Sequence, residues 1–216
     1  MIGLAAYAGA RIPHGFGPIE WVAGANATNG DGDIELDIPA HAANDLIIAW
    51  AHGGPTLFDP PALPSGWTNI LYSGLRTFAL ATRVYCVRDT SNTINTLTLP
   101  ASTSNVGFMI YRNASGAGVS VMGPENVGGT NGATPSLGGL TAGSWVVAGL
   151  DLNQADDTIA DPGALTPRIH RLAIYGGGTG SVTDTNGIVT SYAGGDTFTW
   201  SMSAVWATFA FEILNG

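Results

Sequence analysis

The segment NTLTLPASTSNVGFMIY (residues 95–111) consists of two strand-like apolar runs separated by a short polar stretch. A second segment, DTFTWSMSAVWATFAFE (residues 196–212), aligns with it without a gap. In this alignment Leu97 meets Phe198 and Phe108 meets Phe209, so the apolar side of each strand stays apolar. The alignment indicates that one strand–turn–strand unit occurs twice in the chain.

Two further pairs of segments repeat at almost the same distance. AANDLIIAWA from Ala42 lines up with TAGSWVVAGL from Thr141, and TNG occurs both at Thr28 and at Thr130. These offsets are 99 and 102 residues, close to the 101 residues of the first pair. Because matches that stay collinear at one offset are typical of repeats, we predict an internal duplication of about 100 residues, with copies at residues 19–112 and 119–212.

The composition favours an all-β fold. Glycine accounts for 31 of the 216 residues, and short runs of Val, Ile, Thr and aromatic residues alternate with Gly-Gly, Asn-Gly and Pro-Ser-Gly turn signals. No window keeps an apolar period of about 3.6 residues, so we expect hardly any helix. We predict a jelly-roll-like β-sandwich.

The linker between the copies is short. Only residues 113–118 separate them, and each copy alone would bury little core. A single sandwich domain over residues 19–216 is therefore favoured, with two small tandem sandwiches as the alternative.

A proline-rich stretch, LFDPPALPSGWTNILYSG (residues 57–74), raises the question of a binding loop. It aligns with DPGALTPRIHRLAIYGG in the second copy, so that Leu63 meets Leu165. We therefore interpret it as a recurring strand connection that places Leu63 and Trp67 in the core. Trp145 and Trp200 are assigned to the core on the same pattern.

Charge and cysteine content exclude several classes of protein. All seven basic residues are arginine, and sixteen acids give a formal net charge of −9, which argues against a nucleic-acid partner. The single cysteine, Cys86, excludes an intramolecular disulfide and is expected to be a buried thiol. The apolar start of the chain lacks a basic leading region, so we expect neither a signal peptide nor a membrane span.

Two acidic segments are candidate cation sites. In NGDGDIELDIP the acids at positions 31, 33, 35 and 37 alternate with Ile34, Leu36 and Ile38, which predicts a solvated strand face. In DLNQADDTIADPG four acids, the first of them Asp151, share an irregular loop. The weak calcium candidates in this loop are Asp156, Asp157 and Asp161.

Catalytic and cofactor motifs are absent from the sequence. There is no Gly-x-Ser-x-Gly elbow, and the four histidines show no metal-ligand spacing. YGGGTGS at Tyr175 lacks the lysine of a phosphate-binding loop. We predict no catalytic residue, no metal and no cofactor, while a glycosidase with two converging carboxylates stays a minor alternative.

The pattern NDLIIAWAHGG…LPSGWTNI…FALATRVYCVRD…NTLTLP…VGFMIYR, followed by WATFAFEIL, resembles β-rich structural proteins of tailed bacteriophages, of the minor tail, fibre or head-decoration type. The likeness covers roughly residues 40–214 and departs from the family at RVYC, where a small residue is expected. The resemblance implies a non-enzymatic protein on the virion surface that is made in the host cytoplasm.

The resemblance does not extend to the first thirty residues. Because the start of the chain is apolar and rich in glycine, we expect residues 1–18 to form a docking arm in which Tyr7, Arg11 and Phe16 make the assembly contacts. The expected partners are other capsid or tail proteins and further copies of the chain. The alternative is a carbohydrate- or host-receptor-binding module that uses exposed aromatic residues and calcium held by the second acidic segment.

Overall fold

The computed structural model describes residues 17–28, 34–53, 62–73, 81–99, 103–153, 158–171 and 179–216. Across these residues all regular secondary structure is β-strand, which confirms the predicted all-β class. The strands are β1 (Glu20–Thr28), β2 (Ile34–Asp37), β3 (Leu46–Gly53), β4 (Thr68–Ser73), β5 (Ala81–Arg88), β6 (Thr96–Leu99), β7 (Thr103–Arg112), β8 (Ala114–Met122), β9 (Asn126–Val127), β10 (Asn131–Ala133), β11 (Trp145–Leu152), β12 (Thr166–Arg171), β13 (Thr179–Asp184), β14 (Thr197–Thr199) and β15 (Val205–Asn215).

The strands form two large antiparallel sheets and two small ribbons. The first sheet has the order β1-β7-β3-β5-β4, and the second has the order β12-β13-β11-β15-β8, with β9 paired to β15. The ribbons are β2 with β6 and β10 with β14. This arrangement of stacked antiparallel sheets is consistent with the predicted β-sandwich.

The two large sheets have the same strand order when one of them is read backwards. Read backwards, the second sheet has the order β8-β15-β11-β13-β12, and each of these strands occupies the position of its counterpart in the order β1-β7-β3-β5-β4 of the first sheet. The two ribbons also resemble each other, because each pairs the strand before the last of its half, β6 or β14, with a short strand near the start of that half, β2 or β10. A duplication would produce this order, and both the duplication and the jelly-roll connectivity stay predictions.

The gapless alignment of the last strands is wrong by one residue. Leu46 pairs with Tyr111 in the first sheet, whereas Trp145 pairs with Ile213 in the second. If Leu46 corresponds to Trp145, then Tyr111 corresponds to Ile213 and not to Glu212. A shift of one residue moves every side chain of a strand to the other face of the sheet.

The buried clusters show the effect of this shift. Phe108 lies in the cluster on the outer face of the first sheet, while Phe209 lies in the cluster between the sheets, so these two residues are not equivalent.

The core between the two large sheets is built from both halves of the chain. Its largest side chains include Trp50 and Tyr111 from the first sheet and Phe209 and Phe211 from the second, all at most 1% exposed. Burial of one such side chain contributes roughly 1.5–3 kcal/mol to folding. This shared core fixes the position of one sheet on the other.

Each ribbon covers the outer face of its own sheet. Leu36 and Leu97 of the first ribbon pack with Ile47 and Phe108 of the first sheet. Phe198 of the second ribbon packs with Leu150 of the second sheet. The resulting order of layers is ribbon, sheet, sheet, ribbon.

Strand β8 begins one residue after β7. Asn113, with a φ of 60°, is the only residue between Arg112 and Ala114, so the chain passes from one sheet to the other there. Residues 114–118, which the sequence analysis assigns to a linker, form the first part of β8. They resemble a linker because all five are small, but an edge strand needs an apolar residue only where it meets the core.

The edge strands of the two sheets lie next to each other on both sides of the molecule. β1 packs beside β12 on one side, and β4 packs beside β8 on the other. All four edge strands carry a bulge or register irregularity in their pairing. In contrast, the pairing of β3 with β5 and the pairings of β11 with β13 and β15 are regular. Bulged edges discourage pairing with further strands.

Candidate functional site

The described residues include a set of buried carboxylates that sequence reasoning did not single out as a group. Each is at most 2% exposed, and each accepts hydrogen bonds from neighbouring groups. Burial of a charge without partners is very costly, so these bonds are a condition of the fold. The set consists of Asp45, Asp89, Asp151, Asp184 and Glu212.

Asp184, at the end of β13, is the centre of the most extensive of these arrangements. Its Oδ2 accepts hydrogen bonds from Arg168 Nε at 2.7 Å and from the Tyr111 hydroxyl at 2.9 Å. Its Oδ1 accepts the Asn186 N–H at 2.9 Å. Burial, followed by the adjacent Asp184 charge, raises the pKa of Tyr111 well above its ordinary value, so the phenol stays a donor.

Arg168 is held on three sides. Besides its bond to Asp184, its Nη2 donates to Asn186 Oδ1 at 2.7 Å. The guanidinium carbon lies 4.8 Å from the centre of the Trp21 ring, and that ring meets Tyr111 edge-on at 5.3 Å. A planar cation stacked on an aromatic face and hydrogen-bonded at its edge has little freedom to reorient.

A cleft opens beside this arginine, between the edge strands β1 and β12. Its volume is about 210 Å³, and its lining residues are Gly24, Ala25, Asn26, Arg168 and Ile169. A Cβ at Gly24 would lie 2.7 Å from the Trp21 ring, so the absence of a side chain there lets the ring pack along β1. Arg168 and Asn26 offer hydrogen-bond donors to the cleft, so the arrangement suits binding.

Of the four acids of the second acidic segment, the structure describes Asp151 and Asp161. Asp151 is 1% exposed and faces the core between the sheets, where its Oδ2 accepts bonds from Thr82 Oγ1 at 2.6 Å and Trp50 Nε1 at 3.3 Å. Asp161 accepts a hydrogen bond from Ser181 Oγ. Asp156 and Asp157 lie outside the described residues.

Asp151 is thus a link between the two sheets, and its assignment to an irregular loop is wrong. The cause is strand alternation: Asp151 still belongs to β11, whose whole length is buried.

The first acidic segment follows the predicted alternation where it is described. Glu35 and Asp37 on β2 are exposed, while Leu36 and Ile38 are each 7% exposed and pack in the outer core. Asp31 and Asp33 lie outside the described residues. Within the described parts of the chain, no group of three or more His, Cys, Asp or Glu residues is placed to hold a metal ion.

Asp89 joins the loop before β3 to the loop after β5. It accepts bonds from the N–H groups of Ser91 and Ile94 at 3.1 and 2.7 Å, and from His41 Nε2 at 3.1 Å. Burial alone would raise the pKa of Asp89, but these hydrogen bonds outweigh it and hold the pKa below its ordinary value.

Glu212 performs a similar task in the second half. Its carboxylate accepts bonds from the N–H groups of Val119 and Thr141 and from the Ser144 hydroxyl, at 3.1, 2.5 and 2.7 Å. Burial alone would raise the pKa of Glu212, but these hydrogen bonds outweigh it and hold the pKa below the ordinary value of a glutamate. The carboxylate connects β15 to edge strand β8 and to the loop before β11.

The tryptophans assigned to the core are buried, but one aliphatic residue assigned with them is not. Trp67, Trp145 and Trp200 are 8%, 6% and 5% exposed. Leu63 is 38% exposed, so its assignment to the core is wrong. Trp67 covers the outer core itself, meeting Tyr85 edge-on at 5.2 Å.

Cys86 is 5% exposed and lies in the core between the sheets, in agreement with its prediction as a buried thiol. Burial raises the pKa of its thiol to about 11. The three residues assigned to docking, Tyr7, Arg11 and Phe16, lie outside the described residues.

Comparisons with known proteins give no match: no family model, no curated protein and no solved structure is similar to the chain. In the described part of the chain, no helix has the length and apolar character needed to cross a membrane.

Proposed function

We propose that the protein is a non-enzymatic structural component on the exterior of a tailed-phage virion, either a capsid decoration or head-fibre protein or a tail accessory protein. The observation that carries this proposal is the way the buried ionisable groups are used. Asp89, Asp151, Asp184 and Glu212 each connect separate strands or loops through short hydrogen bonds. Such connections favour a rigid body over a reactive centre.

The edges of the sheets support the same role. A virion surface protein is present in many copies at close range, where exposed sheet edges would pair with one another. The bulges in β1, β4, β8 and β12 counter such pairing. Contacts between copies or with other virion proteins would then come from dedicated segments.

The segment proposed for docking is the arm of residues 1–18. The described end of this arm, residues 17 and 18, lies next to Asn113. The side-chain amide of Asn113 donates a hydrogen bond to Pro18 O at 2.9 Å. Gly216 reaches the same place, because its N–H donates to Asn113 O at 2.9 Å. A partner bound through the arm would therefore approach the body beside the crossing from β7 to β8.

The test is deletion of residues 1–16, which keeps the Pro18–Asn113 contact. We expect the truncated protein to unfold at the same temperature as the full chain and to be missing from virions purified from infected cells. The triple variant Tyr7→Ala/Arg11→Ala/Phe16→Ala should behave in the same way. A matched triple variant on the body, Tyr72→Ala/Arg88→Ala/Val127→Ala, should still be incorporated.

Normal incorporation of the truncated protein would remove the arm from the proposal. Absence of the full-length protein from purified particles would remove the virion role itself. The carbohydrate- or receptor-binding alternative is tested separately by a glycan array with and without calcium, where binding that requires calcium would favour it.

A further inference from the structure

We propose that the cleft between β1 and β12 binds a small ligand with a carboxylate group, with Arg168 as the anchor and Asn26 as a second polar contact. The proposal does not depend on the virion role, because it rests only on the geometry around Arg168.

The first step is the fixed orientation of the guanidinium. Its Nε and Nη2 are occupied by Asp184 and Asn186, and its face lies over the Trp21 ring. Among the residues that the structure describes, Nη1 has no partner, although the side chain as a whole is only 10% exposed. Arg168 lines the cleft, so Nη1 is a pre-positioned donor for an oxygen bound there.

The second step concerns charge. Asp184 neutralises Arg168, but this carboxylate is fully buried and is also bonded to the Tyr111 hydroxyl. Its negative charge therefore lies on the core side of the guanidinium, whereas the Arg168 side chain itself lines the cleft. Charge-assisted N–H bonds to a carboxylate are stronger than those to a neutral oxygen, so a carboxylate is the preferred group.

The third step is size. A cleft of about 210 Å³ is smaller than the roughly 300–1,000 Å³ of sites for drug-sized ligands. The small residues Gly24 and Ala25 form one wall, and the exposed amide of Asn26 adds a polar contact. A single sugar acid, such as glucuronate, combines the required carboxylate with hydroxyl groups and a matching size. With one charge-assisted anchor, the expected Kd is about 1 mM.

The experiment is an NMR titration of the ¹⁵N-labelled full chain with glucuronate, with glucose as the neutral control. We expect saturable shifts of the Trp21 indole and Arg168 side-chain signals with glucuronate, and at least tenfold weaker binding of glucose. No saturable shift up to about 10 mM, ten times the expected Kd, would overturn the proposal. Equal binding of the two sugars would also overturn it.

Two variants locate the binding. Asn26→Asp adds a carboxylate to the cleft wall and should weaken glucuronate binding at least tenfold. Thr68→Asp, on the exposed edge strand β4, changes the net charge by the same amount and should leave binding unchanged. Equal effects of the two substitutions would place the ligand elsewhere.

The anchor is tested with Arg168→Lys, which keeps the charge and removes the planar fork. We expect at least a tenfold loss of binding, provided that the Trp21 signals show an intact fold. Should this variant not fold, the Asn26→Asp and Thr68→Asp pair decides the outcome alone.

Discussion

His41 and Asp89 form a buried pair, and both ring nitrogens of the imidazole lie within hydrogen-bond distance of an oxygen. Nε2 lies 3.1 Å from Asp89 Oδ2, and Nδ1 lies 2.8 Å from the carbonyl oxygen of Pro39. The ring therefore bridges the side chain of Asp89 and the backbone of its own loop. Both side chains are only 2% exposed, and the pair therefore fixes the loop before β3 to the loop after β5.

Removing the charge of Asp89 should destabilise the first half of the molecule. In Asp89→Asn the amide nitrogen would face donors such as the Ile94 N–H, and we expect the free energy of unfolding to fall by about 2 kcal/mol. Urea denaturation measures this change. The matched control is Asp37→Asn on the exposed face of β2, where the expected change is below about 0.5 kcal/mol. Similar losses in the two variants would contradict the role of Asp89.

Stability should decrease as the pH falls below about 5. The folded-state pKa values of Asp89 and Glu212 lie below their ordinary values of about 4, so their stabilisation is present above that pH and is lost as the pH falls through the folded-state values. Melting temperatures measured between about pH 2 and pH 7 test this expectation. Glu212→Gln should flatten the acid slope. The control Glu35→Gln, at an exposed position of β2, should leave the melting temperature at pH 7 unchanged.

Added volume between the sheets should be poorly tolerated. A Cβ at Gly180 would lie 2.4 Å from the Trp50 ring and 2.6 Å from the Leu150 carbonyl oxygen. We expect Gly180→Ala to lower the free energy of unfolding by about 2 kcal/mol, since overpacking costs roughly 1–3 kcal/mol. Gly116→Ala on β8, where a Cβ would meet no atom within 4 Å, is the control and should be nearly neutral. A neutral Gly180→Ala variant would show that the sheets can separate without cost.

The two halves should unfold as one unit. Trp50 and Tyr111 of the first sheet share a core with Phe209 and Phe211 of the second, and Asp151 adds a polar link across it. Calorimetry should therefore give one transition in which the calorimetric enthalpy equals the van't Hoff enthalpy. Two separate transitions would support tandem domains that fold independently.

Local patterns of the sequence predict much of the fold. The alternation of Leu36 and Ile38 with Glu35 and Asp37 gives both the strand and its buried face. The one-residue shift between Phe108 and Phe209 cannot be derived in this way. A sequence alignment compares residue types, and it pairs the two phenylalanines although their side chains lie on different faces of their sheets. The register is decided by cross-strand partners, which the sequence does not specify.

The candidate site was not predictable for a related reason. Arg168 and Asp184 are 16 residues apart, and Tyr111 is 73 residues from Asp184. Each reads alone as an ordinary strand or surface residue. Their meeting depends on the packing of one sheet on the other, for which no local pattern exists. No local signal pointed to the burial of Asp184, because Val182 is the only large apolar residue of β13.

The paired edge strands give the molecule two sides of similar geometry and different chemistry. On one side β1 and β12 carry Glu20, Arg168 and Arg171, while β4 and β8 on the other carry no charged residue. A contact made through one side thus has no chemical counterpart on the other. Two copies that met through unlike sides would form a head-to-tail contact, and repetition of such a contact gives rings or rows with a defined direction.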